Sequence, residues 1–100
     1  MNPTKQEKEY WSRIAEFGCI ACRIDGYRNP IVSIHHCDGR TKKGSHMKVI
    51  ALCAGHHQDG TGNDKTMLAI HPFKRRFEAK YGTQQELMDM TNKLLEKAIL

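Results

Sequence analysis

Two short segments, Cys19-Ile20-Ala21-Cys22 and Cys53-Ala54-Gly55-His56, lie about thirty residues apart in a chain of 100. A Cys-x-x-Cys knuckle offers two thiolates to one tetrahedral ion, and Cys-x-x-His offers a thiolate and an imidazole at the same spacing. Together they form a Cys3His set suited to structural zinc. Any fold that closes this set must bring the two segments side by side and confine the residues between them to a compact loop-back. A staple of this kind is expected, because a chain this short buries only about two-thirds of its unfolded surface. Disulfides are the alternative staple, but the polar opening Met1 to Glu9 has no apolar signal stretch that would send the chain to an oxidising compartment. A redox Cys-x-x-Cys normally opens a helix after a buried strand, and that context is missing around Cys19. Cys37 falls outside the set and reads as a small buried or half-buried thiol, with the chemistry to displace His56 as fourth ligand.

The elements around these segments are short. Thr4 and Glu7 form a capping box ahead of an apolar face of Tyr10, Trp11, Ile14, Ala15 and Phe17, with Gly18 as a stop. Ile31 to Ile34 and Val49 to Leu52 read as two strands separated by a basic loop, and the residues after Cys53 begin a helix that Gly60 and Gly62 curtail. Pro72 suits the first turn of a further helix carrying Phe73, Phe77 and Tyr81, and Thr83 with Glu86 caps a last one carrying Leu87, Thr91, Leu94 and Leu95. Both C-terminal helices read as packing elements. The expectation is one α+β domain over residues 1–100: a zinc-stapled core at about 19–71, made of a two-stranded hairpin and a helix, with an N-terminal helix and two C-terminal helices around it.

Two histidine doublets, His35-His36 and His56-His57, exceed what one zinc can use. Adjacent residues point about 100° apart on a helix and to opposite faces on a strand, so neighbouring imidazoles serve different tasks. If His56 turns to the cysteines, His57 is left for a second centre. His35 and His57 are the candidate ligands of a second divalent cation, and His36 is the candidate general base, since neutral imidazole is available near pH 7. His71, just before Pro72, is the candidate third ligand, with His46 in competition. Magnesium, manganese and zinc all remain open for that cation, because imidazole tolerates several.

The net charge of +5 and a pI near 9.2 favour a polyanionic partner, nucleic acid ahead of a membrane surface. No apolar run approaches the roughly 18 residues that a membrane span requires. Arg40, Lys42, Lys43 and Lys48 lie on or beside the inter-strand loop, close to His36, and are the candidate phosphate contacts for DNA. Lys74, Arg75, Arg76 and Lys80 form a second cluster that reads as a solvated helix face.

Taken together, Cys19-x-x-Cys22, His35-His36 and Leu52-Cys53-x-x-His56-His57 resemble the HNH, or ββα-metal, nuclease superfamily. More narrowly, Val32-Ser33-Ile34-His35-His36, Gly39-Arg40-Thr41, Gly44-Ser45-His46-Met47-Lys48 and Leu52 to Gln58 resemble the phage recombination-enhancement (Ref) nucleases, with Ala69-Ile70-His71 as a fainter match. The resemblance implies zinc on Cys19, Cys22, Cys53 and His56, a catalytic metal on His35 and His57, and His36 as base. It also implies DNA hydrolysis, a RecA filament partner and a bacterial host cell, in whose cytoplasm the polar opening is expected to leave the chain. The middle Asn of the HNH pattern falls near Lys48, and lysine cannot accept the imidazole N–H that an Asn carbonyl accepts. A backbone carbonyl is expected to orient His36 in its place. The alternative reading is a non-catalytic, zinc-stapled DNA-binding or interaction module.

Overall fold

A computed structural model describes residues 2–26, 28–37, 39, 42–59 and 68–99. Helix α1 spans Lys5–Ala15, and its capping box forms as the sequence predicts: Thr4 Oγ1 accepts from the Glu7 amide and Glu7 Oε1 accepts from the Thr4 amide. The chain then turns at Gly18, with φ at +77°, and the Cys19 amide donates to the carbonyl of Asn29 at 2.9 Å. A Cβ at Gly18 would stand 2.5 Å from that same carbonyl oxygen, so glycine is required to set the first ligand segment in place. The knuckle continues into a one-turn helix, α2 (Ile20–Ile24), N-capped by Cys19.

Strand β1 (Ser33–His36) pairs antiparallel with β2 (Val49–Leu52), with His35 opposite Ile50 and His36 opposite Val49. The first strand thus begins two residues later than its β-branched run implies. Pro30 lacks an amide for the ladder and Ile31 stays 81% exposed, whereas the residues that face the buried β2 are Ser33 to His36. This shift puts the histidine doublet on the strand itself, where alternate side chains go to opposite faces.

All four residues of β2 are buried, because the hairpin is covered on both sides. Ile50 and Leu52 pack with Cys19, Ile20, Phe77, Tyr81 and Leu87; Val49 and Ala51 pack with Ile14 and Leu95, flanked by Trp11, Phe17 and Ile34. Helix α3 (Ile70–Tyr81) supplies Phe77 and Tyr81, and α4 (Gln84–Ile99) supplies Leu87 to one side of the sheet and Leu95 to the other. A second capping box, Thr83 with Glu86, starts α4. Tyr10 Oη donates to Asn92 Oδ1 at 2.9 Å and ties α1 to α4.

The segment after Cys53 forms a wide π-type turn over Gly55–Asp59. The proposed stops at Gly60 and Gly62 lie outside the described residues. Helix α3 is broken near its start: His71 is extended (φ −111°, ψ 115°), the conformation that a following proline imposes. No helix among the described residues is long and apolar enough to cross a membrane.

Candidate functional site

The Cys19-x-x-Cys22 knuckle at α2, the hairpin, the π-type turn and α3 gather the ligand-type side chains into two separate groups. In the first, Cys19, Cys22, Cys53 and His56 are all buried, and their ligand atoms lie within 4.8 Å of one another. Cys22 Sγ and Cys53 Sγ are 3.7 Å apart, and His56 Nδ1 lies 3.5, 3.4 and 3.2 Å from the sulfurs of Cys19, Cys22 and Cys53. A tetrahedral zinc with ordinary bond lengths separates two sulfurs by roughly 3.8 Å and a sulfur from a nitrogen by roughly 3.6 Å. The donor set therefore has the spacing of a zinc site, and none of the four cysteines is in a disulfide. Burial, reinforced by the neighbouring thiols, pushes the Cys19 thiol up to about 12. Three crowded thiolates are untenable without a cation, and a divalent ion reverses that preference.

His56 is held in the tautomer this site needs. Tyr81 Oη donates to Asp25 Oδ2 at 2.7 Å and so accepts from His56 Nε2–H at 3.0 Å, which leaves Nδ1 unprotonated toward the sulfurs. Lys80 Nζ stands 3.7 Å from the other oxygen of Asp25. Cys37, by contrast, is half-buried and stands outside this group, with its amide donating to the carbonyl of Lys48.

The second group is His35, His57 and His71, with ligand nitrogens again within 4.8 Å of one another. His35 Nδ1 and His57 Nε2 face each other at 3.3 Å, close to the roughly 3.3 Å that two imidazoles keep on a tetrahedral zinc. Two further contacts decide that these nitrogens face inward. Gln84 Oε1 accepts from His35 Nε2 at 2.7 Å. Ser33 Oγ donates to the Leu52 carbonyl and accepts from His57 Nδ1 at 3.0 Å. Each partner takes the N–H on one side of its ring and leaves the lone pair on the other. Burial is the main reason that His35 sits below its ordinary value of 6.5, with His57, His71 and Lys74 adding to the effect, and a neutral ring is the form that ligates.

This group opens on a pocket of about 440 Å³, lined also by His36, Cys37, Gln58, Lys74 and Gln84. His71 is exposed at the rim, turned there by the extended backbone ahead of Pro72. His36 lines the same pocket from the strand that carries His35, but its ring lies toward Trp11 and His46. Its Nε2 is 3.0 Å from His46 Nδ1. His46 is thus buried beside His36 and stands apart from the three-histidine group, so His71 is the third imidazole there. That described contact of His36 is with a side chain, His46. Lys42, Lys43 and Lys48 are exposed; Arg40 lies outside the described residues.

Several contributors carry no signal in the sequence. Gln84 and Asp25 belong to no motif, Ser33 and Tyr81 enter the sequence reading only as part of a family-like segment and as a packing position, and Gln84 reaches His35 from 49 residues away. Lys74 was expected on a solvated helix face; it is exposed, yet it also borders the pocket. The two C-terminal helices therefore do more than pack, since α3 brings Lys74 and Tyr81 and the first turn of α4 brings Gln84.

The family model for recombination enhancement, RecA-dependent nucleases matches residues 3–96. That match extends well beyond the Cys19 to Gln58 motifs and takes in α1, which supplies Trp11 to the pair of His36 and His46, and α3 and most of α4, which supply His71, Tyr81 and Gln84 to the two groups. The chain belongs to the recombination-enhancement, RecA-dependent nuclease family.

Proposed function

We propose that this protein is an HNH-type, metal-dependent DNA endonuclease. The single observation that carries this reading is the pocket in which three imidazoles, His35, His57 and His71, meet beside His36. A nuclease needs a Lewis acid and a base at one phosphate, and both can be drawn from this group. In this reading Cys19, Cys22, Cys53 and His56 hold structural zinc, and His35 Nδ1, His57 Nε2 and His71 hold a second divalent cation. That cation supplies Lewis acidity toward the scissile phosphate. No carboxylate joins the three imidazoles in the described group, and such a set favours zinc or another late transition metal over the oxygen-preferring magnesium and manganese.

His36 takes a proton from water, the water oxygen forms a bond to phosphorus, and the opposite phosphorus–oxygen bond breaks toward its oxygen. The departing alkoxide picks up a proton from solvent. Arg40, Lys42, Lys43 and Lys48 contact backbone phosphates without reading sequence, and Lys74 at the pocket rim adds positive charge on the side of His35. The family's description, a RecA-dependent nuclease in recombination enhancement, supports DNA as substrate and a RecA filament as partner.

The test is a plasmid-nicking assay with wild type and His36→Ala, in zinc, manganese and magnesium, with and without RecA filaments. Loss of cleavage in His36→Ala, with the fold and DNA binding retained, is the expected result. Unchanged cleavage in that variant removes the mechanism, and cleavage that ignores RecA filaments removes the partner.

A further inference from the structure

We propose that His46 is a positioning residue for His36, holding it in the tautomer that a general base requires; the inference rests on the reading of His36 as the base. The two rings meet Nε2 to Nδ1 at 3.0 Å, with centroids 5.1 Å apart and planes at 82°. A contact of this kind between neutral imidazoles holds one proton between two nitrogens. If His46 donated from Nδ1, His36 would carry its own proton on Nδ1 and keep no lone pair for water. If His36 donates from Nε2, its Nδ1 retains the lone pair. Base function demands the second arrangement, with His46 as the acceptor. His36 Nδ1 is covered in this structure, so arriving substrate has to bare it.

His46 is built to hold still. It is only 6% exposed and lies on a single 3-10 turn, Ser45–Met47, entered through Gly44 at φ +80°. Trp11 of α1 donates from Nε1 to the His46 carbonyl at 2.6 Å, and its ring stands edge-on to both His36 and His46, at 5.3 and 5.6 Å. The acceptor that Lys48 cannot provide is thus provided two residues earlier, with α1 as the brace. Once His36 takes the proton from water, the contact becomes charge-assisted and strengthens. An interaction that grows as the reaction proceeds raises kcat and leaves substrate binding unchanged.

Two measurements test this. Long-range nitrogen-15 spectra of the full, metal-loaded chain read the His36 tautomer directly. Protonation at Nε2 is expected, and protonation at Nδ1 overturns the inference whether or not any variant folds. In nicking kinetics, His46→Leu fills the space without an acceptor, whereas His46→Asn keeps one at the δ position. His46→Leu is expected to lose about 10²-fold in kcat at nearly constant KM, and His46→Asn to recover most of it. A KM effect alone, or equal loss in both variants, overturns the positioning role. His36→Ala separates the two layers: if it cleaves like wild type, the base reading has failed; if it is inactive while His46→Leu keeps full kcat, only the role of His46 has failed.

Discussion

The two ligand groups use the same sequence device, a pair of adjacent histidines, and reach opposite degrees of closure. In the Cys3His group, all four side chains are buried and the outer contacts, Tyr81 and Asp25, sit at the junction of α2 and α3. In the three-histidine group, exposure rises from buried His35 through half-buried His57 to exposed His71, and a pocket of about 440 Å³ opens beside them. A closed tetrahedral set leaves an ion nothing to do but hold the chain together. A three-ligand set with an open side leaves a position for water or substrate. Closure, more than ligand identity, distinguishes the two groups.

This contrast is most easily broken at the staple. Cys22→Ser or Cys53→Ser, or removal of zinc with a strong chelator, should abolish the cooperative thermal transition and with it all activity, because a structural zinc of this type contributes about 10–16 kcal/mol of apparent binding energy to folding. A chain that still melts cooperatively without metal would show that the Cys3His group is dispensable. Next in size is His36→Ala. Cleavage should fall about 10²- to 10⁴-fold with the melting temperature and DNA affinity retained, as measured by nicking rates, calorimetry and gel shift.

Removal of an open-site ligand should separate chemistry from stability. His57→Ala should lose the second bound ion by metal analysis and lose activity, yet keep the zinc and a native far-UV circular dichroism spectrum. Unfolding in that variant would mean that both groups are staples. Gln84→Leu probes the outer contact on His35 and should weaken metal binding at the open site by about 10- to 100-fold in titration calorimetry, with the zinc site untouched. The smallest effect belongs to the loop. Single alanine substitutions at Lys42, Lys43 or Lys48 should each lower the salt dependence of DNA binding by about one counterion and leave kcat alone. An unchanged salt slope would remove these lysines from the DNA interface.

Much of the staple was legible in advance because its spacing is a local property. Cys19 with Cys22, and Cys53 with His56, sit three residues apart, the distance at which one turn of chain aims two ligands at one point. The division of each doublet followed from the same local geometry, since neighbouring side chains diverge in both strand and helical turn. The first strand was displaced because a β-branched run marks where a strand is favourable, while the buried partner β2 decides which residues pair. The contacts on the rings were harder still. Ser33, Gln84, His46 and Trp11 meet the histidines across 24, 49, 10 and 35 residues respectively, with Trp11 reaching the carbonyl of His46.

What the linear order of residues settled, then, is the inventory: two half-sites suited to one zinc, five imidazoles left over, capped helices at each end and a basic loop beside them. Capping boxes, ligand spacing and side-chain alternation act over a few residues and need no knowledge of the rest of the chain. Packing decided the remainder. Burying the hairpin between α1 and the C-terminal helices sealed one group, left the other at a pocket rim, and chose which nitrogen of each ring faces inward. Tautomer and exposure depend on what lies across the core, and those neighbours meet only when the apolar faces of distant helices are buried together.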